Sequence, residues 1–272
     1  MRIIVSKFHA LLIATTCISY WRGVWKFLDI AATISETNHD IPITPLFDIA
    51  QNSIILMISK TFVNNMSVPF VVMTDQLENS FHIPTIFKRK RNDGTLKFFF
   101  DCLYTNLIPF FMICLWRSFW VIIDANVFPN NPMTSAYISI TTGYTLSLFC
   151  FMSESFIENL YNERCDEYKF FVRDVFTVVC LFASINVWRG LWIVFDAYIG
   201  NRNGVLFLVN GLAWKFLMIL NCTSSISPKG VLKDGEDLGN GPIRLPILYF
   251  QQIFKSVKLQ SEFIDQSNST KL

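Results

Sequence analysis

The sequence predicts an all-α membrane protein of about six transmembrane helices, built as three repeated helical hairpins with both termini in the cytosol. Three observations lead there. The 272-residue chain is 52% hydrophobic and only 16% charged, well under the roughly 25% charge of soluble domains. Apolar stretches of about twenty residues, enough to cross a bilayer core, alternate with polar connections. One nine-residue pattern, W-R-x-x-W-x-x-x-D, occurs three times.

The copies are Trp21-Arg22-Gly23-Val24-Trp25-Lys26-Phe27-Leu28-Asp29, Trp116-Arg117-Ser118-Phe119-Trp120-Val121-Ile122-Ile123-Asp124 and Trp188-Arg189-Gly190-Leu191-Trp192-Ile193-Val194-Phe195-Asp196. Six of the seven Trp residues of the chain fall in them. That concentration marks an internal repeat rather than coincidence. At about 100° per helical residue the first Trp, Arg, second Trp and Asp project at roughly 0°, 100°, 40° and 80°, on one face. Arg and Asp of one copy stand about 10.5 Å apart along the axis, too far to pair directly. An Arg of one copy is therefore expected to meet an Asp of another, tying the repeats along a seam.

Taken in order, residues 8–28 form the first expected span, with Arg2 and Lys7 ahead of it. It runs straight into the first motif rather than into a small-residue cleavage site, so no signal peptide is read. The connection 29–45 holds Glu36, Asp40, Pro42 and Pro45 but no Lys or Arg. The second span runs from Leu46 to Val63 and carries Asp48, Gln51, Asn52 and Lys60. Residues 64–97 read as a long polar connection with Lys88-Arg89-Lys90-Arg91, followed by the turn signal Asn92-Asp93-Gly94.

The third span covers about Phe98 to Ile123, and the short link Asp124 to Pro132 contains no basic residue. The fourth span covers about Thr134 to Met152. Residues 153–168, with Glu154, Glu158, Glu163, Arg164, Asp166 and Glu167, read as a charged loop. The fifth span runs from about Phe170 to Phe195, and the sixth from about Val205 to Asn221. The repeats are thus about 8–66, 98–152 and 170–222, within a transmembrane domain of residues 1–222. Residues 223–272 form a cytosolic tail, whose stretch 246–264 has the spacing of an amphipathic helix on the inner leaflet.

Orientation follows from the basic residues. The first, third and fifth connections carry only Arg202 among them, so they face outward. The sequons at Asn65, Asn221 and Asn268 then fall on the cytosolic side and stay unmodified. Each motif lands near the outer end of an ascending helix.

The chemistry these residues carry is mainly structural. Charges inside a membrane are costly, so a triply repeated Arg and Asp needs a reason. An ion-pair and cation–π seam is one; a ligand or ion site is another. Asp48, Asn52, Lys60, Thr141, Thr142, Asn210 and Lys215 on the descending helices suit interhelical hydrogen bonding or a solute path. His9, His39 and His82 have no partner spacing, and no catalytic or nucleotide-binding motif is present. The seven cysteines show no metal-type spacing and read as small packing residues. No broad basic stripe suits nucleic acid. The expectation is a non-enzymatic protein without cofactor or metal, whose partners are the lipid bilayer and other membrane proteins.

The three motif copies, with their flanking hairpins over about residues 8–222, resemble the fuseless family of animal multipass membrane proteins. The second copy departs in having Ser118 where the others have Gly. The resemblance implies eight spans against the six counted here, so one hairpin lies ahead of Met1 or is missed in the count. It also implies a plasma-membrane, presynaptic role in organising calcium channels for neurotransmission. The competing expectation is a transporter or channel for a small solute or ion, with its polar site at the motif Arg and Asp residues.

Overall fold

The computed structural model describes residues 20–32, 44–72, 94–163, 166–199, 203–220, 222, 243 and 245. Residues 8–19, the Lys88 to Arg91 run, all three histidines and the tail helix expected at 246–264 lie outside them. The regular elements among the described residues are helical: α1 (20–32), α2 (Thr44–Ile58), a 3-10 turn (Phe62–Asn65), α3 (Thr95–Asn126), α4 (Pro132–Asn162), α5 (Asp166–Ile199) and α6 (Asn203–Ile219). Thr95–Asn126 and Tyr168–Tyr198 are long and apolar enough to cross a membrane. At about 1.5 Å per residue, α3 is about 48 Å long. The α4 helix is of similar length but is lightened in hydropathy by its Ser, Thr and Glu residues.

The ends of α4 are written in local chemistry. The Asn131 side chain accepts the Thr134 N–H at 3.1 Å, and Pro132 occupies the first turn, where its missing N–H costs nothing. At the other end the helix continues through Asn162, ten residues past the expected span. The stretch read as a charged loop, 153–168, is therefore helical at 153–162 and again from 166. It contains no Gly or Pro, and Ile157 and Tyr161, one turn apart, pack into the core that holds Cys150 and Phe176. Glu154 and Glu158 are therefore carried on a helix, half-buried, rather than on a loop.

The α2 helix is shorter than expected. It stops at Ile58; Lys60 turns left-handed at φ 54, and the 3-10 turn follows. The chain then runs back along α5 instead of leaving for solvent. Lys60 sits 5.2 Å over the Phe170 ring, Phe62 joins Leu181 and Ile185, and the Val68 carbonyl accepts the Trp188 indole N–H at 2.9 Å. Thr61, Phe62, Asn65, Phe70 and Val71 are all buried. The polar connection expected from residue 64 begins inside the protein. Apolar content at Phe62, Val63, Met66, Val68, Phe70, Val71 and Val72 explains why it stays there.

The α4 and α5 helices form the most extensive helix–helix contact in the fold, and α2 on α3 the next. The consecutive helices α3 and α4 touch only sparsely. A descending helix thus packs on the next ascending helix, not on the one before it as a hairpin of 98–152 implies. A stripe of small residues explains the choice. Ser135, Ser139, Gly143 and Ser147, four apart on α4, are all buried. A Cβ added at Gly143 meets the Val187 amide nitrogen at 2.6 Å, and one at Gly190 meets the Ala136 carbonyl at 2.7 Å. Backbones approach that closely only across glycine.

The tail also departs from expectation. Ile243 and Leu245 are buried with Phe70, Cys150, Phe176, Cys180 and Ala183, and the Leu245 N–H donates to Glu154 Oε1 at 2.9 Å. At least this part of residues 223–272 belongs to the packed body.

A tryptophan and ion-pair seam as the candidate functional site

The three motif copies lie side by side on α1, α3 and α5. Their first indoles form one row: Trp21 and Trp116 have ring centroids 5.8 Å apart, Trp116 and Trp188 5.9 Å, each pair edge to face. Their second indoles form another, with Trp25 to Trp120 at 5.4 Å and Trp120 to Trp192 at 6.0 Å. Edge-to-face contact places the positive ring edge on the negative ring face and contributes about 0.5–1.5 kcal/mol per pair beyond burial. Two rows four residues apart fix the three helices parallel and in register.

The charges connect the same neighbours. Arg117 Nε donates to Asp29 Oδ1 at 2.9 Å. Arg189 Nε donates to Asp124 Oδ1 at 2.8 Å, and its Nη2 reaches the same oxygen at 2.7 Å. Each arginine thus meets the aspartate of the preceding copy. Among the described residues these guanidinium groups face carboxylates, and none lies over a Trp ring, so the seam is ion-paired and ring-stacked rather than cation–π. Lys26 also approaches Asp29, at 3.3 Å; with Lys26 largely exposed, that contact contributes little.

Arg189 is the most buried member, at 2% exposure. Its Nη1 donates to Ser139 Oγ at 2.6 Å and its Nη2 to Ser135 Oγ at 2.7 Å. The planar fork therefore joins three helices: Asp124 from α3, the two serines from α4, and its own α5. A buried guanidinium is tolerable when its donors are filled in this way. Ser135 and Ser139 were not singled out from the sequence. The signal was present in the repeated small residues at four-residue spacing from Ser135.

The second arginine has a related setting. Asp48 on α2 lies within electrostatic range of Arg117. The segment Thr44-Pro45-Leu46-Phe47-Asp48-Ile49-Ala50-Gln51-Asn52 parallels Asn131-Pro132-Met133-Thr134-Ser135-Ala136-Tyr137-Ile138-Ser139. Asp48 and Asn52 stand where Ser135 and Ser139 stand. Asn52 Nδ2 donates to the Asp48 carbonyl at 2.6 Å, locking its own helix. Asp48 on α2 thus stands near Arg117 as Ser135 on α4 stands on Arg189.

The motif position between Arg and the second Trp varies for a visible reason. Gly190 is pressed against α4, while nothing lies within 4 Å of a Cβ built on Gly23. Ser118 is buried and turns its hydroxyl back to the Cys114 carbonyl at 2.8 Å. Only the third copy needs glycine on steric grounds.

The outermost charges of the series stand apart. Arg22 and Asp196 are exposed and have no hydrogen-bond or ion-pair partner among the described residues. Among those residues no group of three His, Cys, Asp or Glu side chains could hold a metal ion. An open groove of about 440 Å³ runs along α3, lined by Leu96, Lys97, Phe100, Leu103, Tyr104 and Leu107. No motif residue borders it.

A family model described as Fuseless matches residues 1–227. No curated protein and no solved structure matches the chain.

Proposed function

The chain belongs to the fuseless family, and from that premise we propose that it is a non-enzymatic multipass protein of the presynaptic plasma membrane that organises calcium channels. The observation that carries the reading is the interlocked seam. Arg117 and Arg189 are engaged with aspartates and serines, so their charge holds helices together rather than meeting a substrate. A parallel row of three stapled helices is a stiff platform, and stiffness suits a protein that acts by positioning others.

Six spans with both termini in the cytosol supply the architecture. The two longest apolar helices support membrane insertion. So do the outward-facing Leu148, Phe149, Met152 and Phe156 of α4 and Leu208, Leu212, Phe216 and Ile219 of α6, which suit lipid better than water. An inserted glycosylation acceptor reads the orientation: within 30–44 it is modified, within 85–95 it is not. The reverse pattern overturns this topology.

The role is tested in neurons lacking the protein. Calcium-channel density at release sites falls, and expression of the full chain restores it. Unchanged channel density in the depleted neurons refutes the organising role.

One observation favours the second reading, a transporter or channel. The α2 helix breaks at Ile58, and the returning segment is buried against α5. Irregular backbone at membrane depth is tolerated only inside protein or beside a cavity, and broken helices mark many transport sites. Asn65 Oδ1, Thr177 Oγ1 and Ser184 Oγ are buried without a hydrogen-bond partner. A solute flux in proteoliposomes that Ser184→Ala abolishes would move the function to this segment.

A further inference from the structure

The seam is a series with two open ends. Arg117 takes Asp29 and Arg189 takes Asp124. Arg22 at the α1 end and Asp196 at the α5 end remain exposed and without a partner among the described residues. The indoles repeat the pattern. Trp188 and Trp192 stack on α3 yet stay 42% and 56% exposed.

We infer that the seam continues between molecules. Arg22 of one copy pairs with Asp196 of a second copy, and Trp21 and Trp25 of the first stack on Trp188 and Trp192 of the second. The charges are opposite, and the residue types are those of the internal junctions. The heights also agree. The Trp rows hold α1, α3 and α5 in register, so Arg22 lies level with Arg117 and Arg189, and Asp196 with Asp29 and Asp124. All three helices are parallel, so a second copy added to either end keeps the same orientation in a bilayer. An Arg and an Asp with no partner among the described residues are costly at this depth, and head-to-tail association removes both costs at once. Such a contact uses two different patches, so it closes into a ring or extends into a row. The inference rests on the seam geometry and on membrane insertion, and is independent of any role at the synapse.

The test is subunit counting by stepwise photobleaching of the fluorescently tagged full chain, captured from cell membranes in lipid nanodiscs. The wild-type chain shows multiple steps. Arg22→Asp alone places Asp against Asp196, and Asp196→Arg alone places Arg against Arg22. Each lowers the multimeric fraction about tenfold, the factor corresponding to about 1.4 kcal/mol. Co-expressing the two variants restores it, because Asp at 22 then meets Arg at 196. Restoration also shows that both variants are folded. If a reversal fails to fold, the milder Arg22→Gln and Asp196→Asn lower the multimeric fraction in its place. A wild-type chain that bleaches in single steps overturns the inference. So do variants that associate like wild type, and folded single variants that fail to reassociate when mixed.

Discussion

Arg189→Ala is the substitution that most directly probes the seam. The side chain is 2% exposed and bonds Asp124, Ser139 and Ser135 between 2.6 and 2.8 Å. Truncation leaves Asp124 able to rehydrate, since it is 48% exposed. The serines have no such outlet, being 1% exposed each. Hydrogen bonds within membrane proteins average about 0.6 kcal/mol and reach about 1.7 kcal/mol. Three such interactions plus the cavity give a loss of about 2–4 kcal/mol. At about 2–4 °C per kcal/mol for a chain of this size, the melting temperature falls by about 4–16 °C. Arg117→Ala removes one bond to an Asp29 side chain that is 36% exposed, and costs about 1 kcal/mol by the same scale. Arg189→Lys keeps the charge but cannot reproduce the three-way fork, so it falls between wild type and Arg189→Ala. The assay is thermal unfolding of purified protein in detergent, followed by loss of the monodisperse peak on size exclusion. The reasoning fails if Arg189→Ala melts with wild type, or if Arg117→Ala costs as much as Arg189→Ala.

Other expected outcomes follow from the same packing. Gly143→Ala and Gly190→Ala each force a Cβ within 2.7 Å of backbone on the facing helix and destabilise by about 1–3 kcal/mol. Gly23→Ala and Gly211→Ala, with open space around the added carbon, are neutral or stabilising by up to about 1 kcal/mol from helix propensity; thermal melts separate the two pairs. Trp116→Ala, at 4% exposure between two indoles, costs about 3–5 kcal/mol, whereas Trp192→Ala, more than half exposed, costs less than half as much in the same melt. Ile243→Asp drives the tail segment off the α4 and α5 core and raises the rate at which a small maleimide labels Cys150, with Cys150→Ser as the control.

Much of the seam was legible before the structure. Helical periodicity alone placed the two Trp, the Arg and the Asp of each copy on one face, and the 10.5 Å axial spacing forbade pairing within a copy. Those two facts require partners from other copies. Direction was not legible. That Arg117 meets Asp29, and not Asp196, depends on which helices are neighbours and on their stagger. Ser135 and Ser139 were overlooked because a serine in a helix satisfies itself on the preceding turn. Only a neighbouring guanidinium makes such a residue a partner.

The break after α2 was missed for a related reason. Residues 59–72 hold enough Phe, Val and Met to be buried, but also the polar and turn-forming residues of a loop. Composition could not say that the loop is packed against α5. Likewise the charges of 153–162 concealed a helix whose inner face is Ile157 and Tyr161.

By itself the sequence determined what periodicity and composition encode: the helical class, the apolar stretches, the motif faces and the need for an inter-repeat seam. These are properties of a single segment and its solvent. Only the tertiary structure decided which segments meet. It chose α4 with α5 over α3 with α4 because small residues on both allow their backbones to close. It aimed Arg117 and Arg189 at the preceding copy, and it left Arg22 and Asp196 at the ends of the row. Such outcomes depend on the simultaneous fit of several surfaces, which no single stretch of chain contains.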